Sequence, residues 1–431
     1  MDASLLYYVI PGIALVVGYV WLHKRSERRA VAKKTANIEA GLHEPASLHP
    51  VIDPIKCIGC GSCVSACPEG DVLGLIHGKA ELIAASECVG HGACRSACPS
   101  QAIELVFGTE KRGVELPHVR PDFQTNVPGL FIAGELGGMG LIKNAIEQGR
   151  QAIENISKIE RAQAPAYDVV IVGAGPAGIS ASLAAKERKL RYVTLEQDSL
   201  GGTVAHFPRG KLVMTSPAQL PLYGQVKFGE IGKDKLLAFW TKVARENQLM
   251  ISFGKRVDAV EKQPNGFVVK TPAGSLSAKA VLLTVGRRGT PRRLDVPGEE
   301  LPKVVYRLIE PEQYEGKSVL VVGGGDSALE AAATLAEESN AAVTLCYRGD
   351  TFSRAKLKNR DRVQAAIGAK RIDMRFATEV AEIAESAVTL LTNGTPTVVS
   401  NDAVIVCAGG ILPTDFLKSA GVIVETKFGT A

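Results

Sequence analysis

Apolar residues run uncharged from Leu5 to Leu22, 18 positions in all, which predicts a helix of roughly bilayer-spanning length. Further on the apolar runs shorten to strand length. Four of them, Val169–Val172, Val319–Val322, Ala280–Val285 and Ala403–Ala408, end directly on a glycine. The first two lead into alanine-rich helical patterns, each followed by another short apolar run, Tyr192–Leu195 and Ala342–Leu345. Strand, glycine turn, helix and strand, given twice, predict an α/β chain. With 431 residues there is material for two or three domains.

Charge and composition sharpen the first stretch. Tyr7, Tyr8, Tyr19 and Trp21 stand near its ends, where a membrane interface favours amphipathic rings. Six lysines and arginines follow between Lys24 and Lys34, so most of the net charge of +5 flanks the apolar run and does not point to nucleic acid. The expectation is an uncleaved single-pass anchor with the rest of the chain on the cytoplasmic face of the inner (cytoplasmic) membrane. Asp2 at the start argues against a cleaved leader.

Seven of the nine cysteines fall between Cys57 and Cys98. The first motif, Cys57, Cys60, Cys63 and Cys67 before Pro68, has the C-x2-C-x2-C-x3-C-P spacing that wraps a cubane and sends its last thiolate to a second cluster. Neither a disulfide framework nor a zinc site needs that handed-over ligand. A second motif places Cys88, His91, Cys94 and Cys98 before Pro99, with histidine in the second ligand position. The pair resembles a two-cluster bacterial 4Fe-4S ferredoxin. That resemblance implies one cluster on Cys57, Cys60, Cys63 and Cys98, and another on Cys67, Cys88 and Cys94, completed by His91 or left as a three-iron cluster. An empty second site is the third option.

Gly173, Gly175 and Gly178, with Pro176 and Ala177 between them, form a GxGxxG turn after a strand, and Glu196 closes the next strand 23 residues after Gly173. That context supports a dinucleotide whose pyrophosphate sits on a helix N-terminus and whose ribose meets the acid, here read as FAD. The second turn holds Gly323, Gly325, Asp326, Ser327 and Ala328. At the matching offset stands Cys346 in place of an acid, followed by Arg348 and then Arg354, which favours NADP(H) over NAD(H) through the 2′-phosphate.

From Val114 onward the chain resembles the thioredoxin-reductase-like class of pyridine nucleotide-disulfide oxidoreductases. Members of that class finish with TNVPGLFAAGD and a helix under the flavin. This chain carries TNVPGLFIAGE upstream of its first glycine turn, from Thr125 to Gly134 and Glu135, followed by a helical pattern from Leu141 to Ile156. A circular permutation is the expectation, and Glu135 takes the place of the family's ribityl-binding aspartate. Gly202 and Thr203 lie in a segment similar to the flavin-facing loop of bacillithiol-disulfide reductases, and Gly286 and Gly409 end the two return strands. The family's redox C-x-x-C is missing.

The fold expected is therefore α/β, with two Rossmann-like three-layer domains for FAD and NAD(P), preceded by an α+β ferredoxin-like domain and one transmembrane helix. Its boundaries are 5–22 anchor, 23–50 linker, 51–107 iron–sulfur domain, 114–160 permuted flavin segment, 166–290 flavin domain, 291–410 nucleotide domain and 411–431 return to the flavin domain. The expected activity moves electrons between NAD(P)H, FAD and 4Fe-4S clusters, in either direction, to a one-electron acceptor that is a protein or a quinone. A low-molecular-weight disulfide reductase with structural clusters and a membrane-tethered redox sensor are the alternatives. The resemblance also implies a homodimer.

Overall fold

The computed structural model describes residues 3–45, 48–110, 113–138, 140–160, 165–206, 212–214, 217–226, 231–287, 289–308, 310–352 and 355–429. These fall into two compact units, residues 1–114 with 428–431, and residues 115–427.

The first unit opens with one helix, α1 (Ala3–Glu39). Among the described residues no helix is long and apolar enough to cross a membrane, which overturns the expected anchor and, with it, the inner-membrane localisation. The physical reason lies in where the described apolar stretch ends. It is interrupted by Pro11, Gly12 and Gly18 and cut short at His23, Lys24 and Arg25, whereas a span needs about 20 apolar residues. The side chains of Leu5, Tyr7 and Tyr8 lie outside the described residues. Helix α1 then continues through the stretch expected as a linker. Its second half packs on the iron–sulfur fold: Ala30 meets Ile76 and Ile83, Lys33 Nζ donates to the Asp71 carbonyl at 2.8 Å, Asn37 Nδ2 to the Ile83 carbonyl at 2.8 Å, and Lys34 pairs with Glu81.

The cysteine-rich part has two-fold pseudosymmetry. Strand β1 (Leu48–Ile52), helix α2 (Ser62–Ala66), strands β2 (Leu73–Ile76) and β3 (Lys79–Leu82), helix α3 (Ala93–Ser96) and strand β4 (Ile103–Phe107) follow in order. β1 pairs antiparallel with β4, and β2 with β3. Cys57, Cys63 and Cys94 are buried with Leu73, Ala80, Ala102 and Ile103 between the two halves.

The second unit is built around two large sheets. Strand β5 (Leu130–Ile132) and helix α4 (Ile142–Ile156) come first, then β6 (Tyr167–Val172), α5 (Pro176–Glu187), β7 (Tyr192–Leu195), α6 (Lys233–Glu246), β8 (Ile251–Ser252), β9 (Ala259–Gln263), β10 (Gly266–Thr271) and β11 (Gly274–Leu283). These strands form a seven-stranded sheet in the order β8-β7-β6-β11-β10-β9. β5 joins it by pairing in parallel with Val281–Leu283 at the end of β11, whose other edge holds β6. The strand that precedes the first glycine turn in sequence therefore sits inside the sheet that the turn belongs to.

The second sheet is parallel throughout and runs β12 (Val304–Val305), β16 (Ala403–Val406), β13 (Ser318–Val322), β14 (Ala342–Cys346) and β15 (Ile372–Arg375). Helices α7 (Asp326–Glu338) and α8 (Leu357–Gly368) belong to it. Its central strands β16 and β13 are buried almost throughout, as crossover helices require of a parallel sheet, while the edge strands β12 and β15 are only partly covered. A three-stranded antiparallel sheet from Thr378 to Ser400 completes this half. The α/β expectation holds for both sheets.

Candidate redox site

The first glycine turn is shaped by contacts that leave no room for side chains. A Cβ at Gly178 would lie 1.9 Å from the Gly173 carbonyl oxygen, and one at Gly173, whose φ is 106°, would lie 2.7 Å from the Thr284 carbonyl oxygen. The turn is thereby pressed onto β6 and β11, and α5 starts at Pro176, whose fixed φ suits a first helical position. Glu196 directly follows β7 at 7% exposure and aims its carboxylate at the turn: Oε2 accepts from the Ala174 N–H at 2.7 Å and Oε1 from the Asp198 N–H at 2.9 Å. Gly202 lies against Gly175, Thr203 faces Gly286, and Gly134 abuts Ala177. The flavin-site residues expected from sequence thus converge around one turn. A backbone that stacked groups can approach this closely, with a buried acid at its mouth, fits a dinucleotide.

The second turn opens onto a cleft of about 920 Å3, lined by Gly323, Gly325, Asp326, Ser327 and Arg348 and also by Glu135 and Thr203 from the half that holds the first turn. Ala328 is fully buried and packs beneath Gly323. Asp326 is tied to its own half: Oδ1 accepts from the Lys356 N–H at 2.9 Å and from Asn359 Nδ2 at 2.7 Å, fixing the start of α8. Arg354 lies outside the described residues. Four further cations, Arg287, Arg292, Arg293 and Arg307, line the cleft. For the first three the signal in the sequence is the arginine-rich stretch that follows Gly286. Tyr347 also lines it, its ring so close to the backbone that a Cβ on Gly324 or Gly349 would come within 2.6 Å.

Cys57, Cys60, Cys63 and Cys98 line one small cavity with Ala80 and Ala102. Backbone N–H groups already point at two of its sulfurs: Ala80 donates to Cys57 Sγ at 3.4 Å and Ala102 to Cys98 Sγ at 3.3 Å. Hydrogen bonding with Ser62 lowers the Cys60 thiol. Burial raises Cys98, but bonds with Ser100 and Ala102 bring it below its ordinary value. In the other half Cys67, Cys88 and Cys94 lie close enough for their thiolates to repel one another, and burial pushes Cys88 and Cys94 up. His91 Nε2 sits 3.5 Å from Glu69 Oε1. Among the described residues no three His, Cys, Asp or Glu side chains gather around one point as a single ion needs, whereas cubane ligands grip separate irons. Four thiols around one cavity with N–H donors to sulfur fit such a cluster.

Residues 170–430 match the family model "Pyridine nucleotide-disulphide oxidoreductase". The chain belongs to that family. As a pyridine nucleotide-disulphide oxidoreductase it is an FAD-dependent oxidoreductase, and it carries in addition a match to "4Fe-4S dicluster domain" over residues 49–99. It is 28% identical over 265 residues to a ferredoxin--NADP reductase of Ignicoccus hospitalis, covering 60% of this chain and 83% of the relative. To the bacilliredoxin reductase Bdr of Bacillus subtilis it is 27% identical, covering 60% and 82%. Among solved structures, the bacillithiol disulfide reductase Bdr (YpdA) of Staphylococcus aureus superposes with a TM-score of 0.52 at 27% identity, over 59% of this chain and 79% of that one.

Proposed function

We propose that the protein takes electrons from NADPH at the cleft and delivers them singly through two iron–sulfur clusters, or runs that path in reverse. The observation that carries this reading is the joining of two things in one chain: a cleft shared by flavin-side Glu135 and Thr203 with nucleotide-side Gly323, Gly325 and Arg348, and a cavity lined by four cysteines. Bound FAD takes up a hydride as a pair and gives electrons up one at a time, and each cluster accepts one. The glycine turn with Glu196 holds the flavin's adenosine end, and Gly134 with Glu135 lies at the same turn. Gly323, Gly325, Ser327, Ala328 and Arg348 hold the second dinucleotide, with Arg348 and Arg354 selecting the 2′-phosphate. Cys57, Cys60, Cys63 and Cys98 hold the first cluster. Cys67, Cys88 and Cys94 hold the second, with His91 as fourth ligand or with three irons only.

Residues 114–160 serve as the flavin domain's displaced C-terminal segment, with 166–290 as its body, 291–410 as the nucleotide domain and 411–431 as the return. The pairing of β5 with β11 supports this, as does the family match beginning only at residue 170. The relatives named ferredoxin--NADP reductase support a one-electron acceptor, a protein or a quinone; the Bdr relatives support a second reading, reduction of a low-molecular-weight disulfide. Anaerobic turnover of the full chain with NADPH separates the two. The first reading expects a one-electron acceptor dye to be reduced at least tenfold faster than any small disulfide, and faster with NADPH than with NADH. The reverse order of acceptors would refute it.

A further inference from the structure

The iron–sulfur fold repeats itself at an offset of 31 residues, with Cys57 answered by Cys88, Cys60 by His91, Cys63 by Cys94 and Cys67 by Cys98. The strands obey the same offset. β2–β3 pairs Leu75 with Ala80 and β1–β4 pairs Val106 with His49, each residue of one pair lying 31 positions from its counterpart in the other. Each ligand loop also packs on a backbone carbonyl at the strand edge, the two carbonyls standing one position out of the offset. A Cβ at Gly59 would strike the Gly78 carbonyl oxygen at 2.1 Å, and one at Gly90 the Leu48 carbonyl oxygen at 2.8 Å, while Cys88 Sγ lies 3.9 Å from that same Leu48 oxygen. In the first half Ala80 is a wall of the four-cysteine cavity and its N–H reaches Cys57 Sγ. The residue that the offset sets in the place of Ala80 in the second half is His49, only 7% exposed.

We infer that His49 walls the second cluster, its imidazole donating a hydrogen bond to a sulfur where the side chain at the first cluster's wall is only the methyl of Ala80. This rests on the proposed binding of a cluster by Cys67, Cys88 and Cys94. Donors to cluster or cysteine sulfur favour the reduced, more negative state. His49 thereby sets the second cluster above the potential it would have with an alanine wall, and makes the two otherwise repeated sites inequivalent.

The test is an anaerobic redox titration, followed by EPR, of the reconstituted full chain and of His49→Ala, which installs the first half's own residue. The expected result is a fall in the second cluster's midpoint, with the first cluster's midpoint and the iron content unchanged. His49→Gln, which keeps a donor, should retain most of the wild-type value, and the unmoved first cluster serves as the internal control for folding. Two clusters with unshifted potentials in His49→Ala would overturn the inference alone. Loss of one cluster's iron in that variant would overturn it too, since His49 would then be holding the cluster or the fold and not tuning it. A wild-type chain with iron for a single cluster would refute the second-cluster reading and this inference together.

Discussion

At the scale of single residues, burial divides the cysteines by task. Cys346 is fully buried at the end of β14, and burial pushes its thiol up to about 12, so at neutral pH it is a protonated core side chain and no nucleophile. Cys63, Cys88 and Cys94 are also raised by burial, and here the shift has a consequence for metal loading. Ligands must bind as thiolates, so raised thiols are protonated at pH 7 and cluster insertion has to displace their protons. Reconstitution should therefore become faster and more complete as pH rises from 7 toward 9, above the ordinary thiol value of about 8.5. Iron uptake measured against pH checks this, and uptake independent of pH would argue that the sites are deprotonated before metal arrives. The residues legible in the sequence were those whose chemistry fixes their type: Gly173 and Gly178 because any Cβ collides with backbone, and the cysteines because their spacing is set by the cubane. Tyr347 carries no such mark, because its role comes from lying flat against Gly324 and Gly349.

Among elements, the informative contact is between α4 and α5. Helix α4 precedes the first glycine turn in sequence yet lies on the helix that the turn starts, so close that a Cβ at Gly149 would sit 2.1 Å from the Ala177 carbonyl oxygen. Gly149→Ala must push the helices apart or kink one of them, at a cost of about 1–3 kcal/mol by the usual scale of overpacking. Because Ala177 belongs to the turn proposed to hold FAD, the variant should lose FAD during purification while a variant at an exposed position of α4, such as Lys143→Ala, keeps it. Equal flavin content in the two would show that this packing does not support the turn. The strand-and-helix segment was readable from its motif, and its pairing with β11 needed the fold. The opposite happened with α1, where an apolar run suggested a span. The helix in fact continues to Glu39 and uses its polar second half to dock on β2 and β3.

For the whole molecule, the account joins a two-electron site in residues 115–427 to one-electron sites in residues 1–114. Both folds were legible because each rests on motifs repeated at a fixed offset, glycine turns in one and cysteine loops in the other. The sequence showed that the repeats differ at His91, but the contrast between His49 and Ala80 appears only once strand register aligns them. The measurement that tests the central claim most directly is anaerobic stopped-flow mixing of the reconstituted full chain with NADPH, following flavin and cluster absorbance together. The account predicts bleaching of the flavin, then reduction of the clusters at a rate no slower than steady-state turnover. A flavin that is reduced while the clusters stay oxidised under excess NADPH would contradict forward transfer from the nucleotide to the iron.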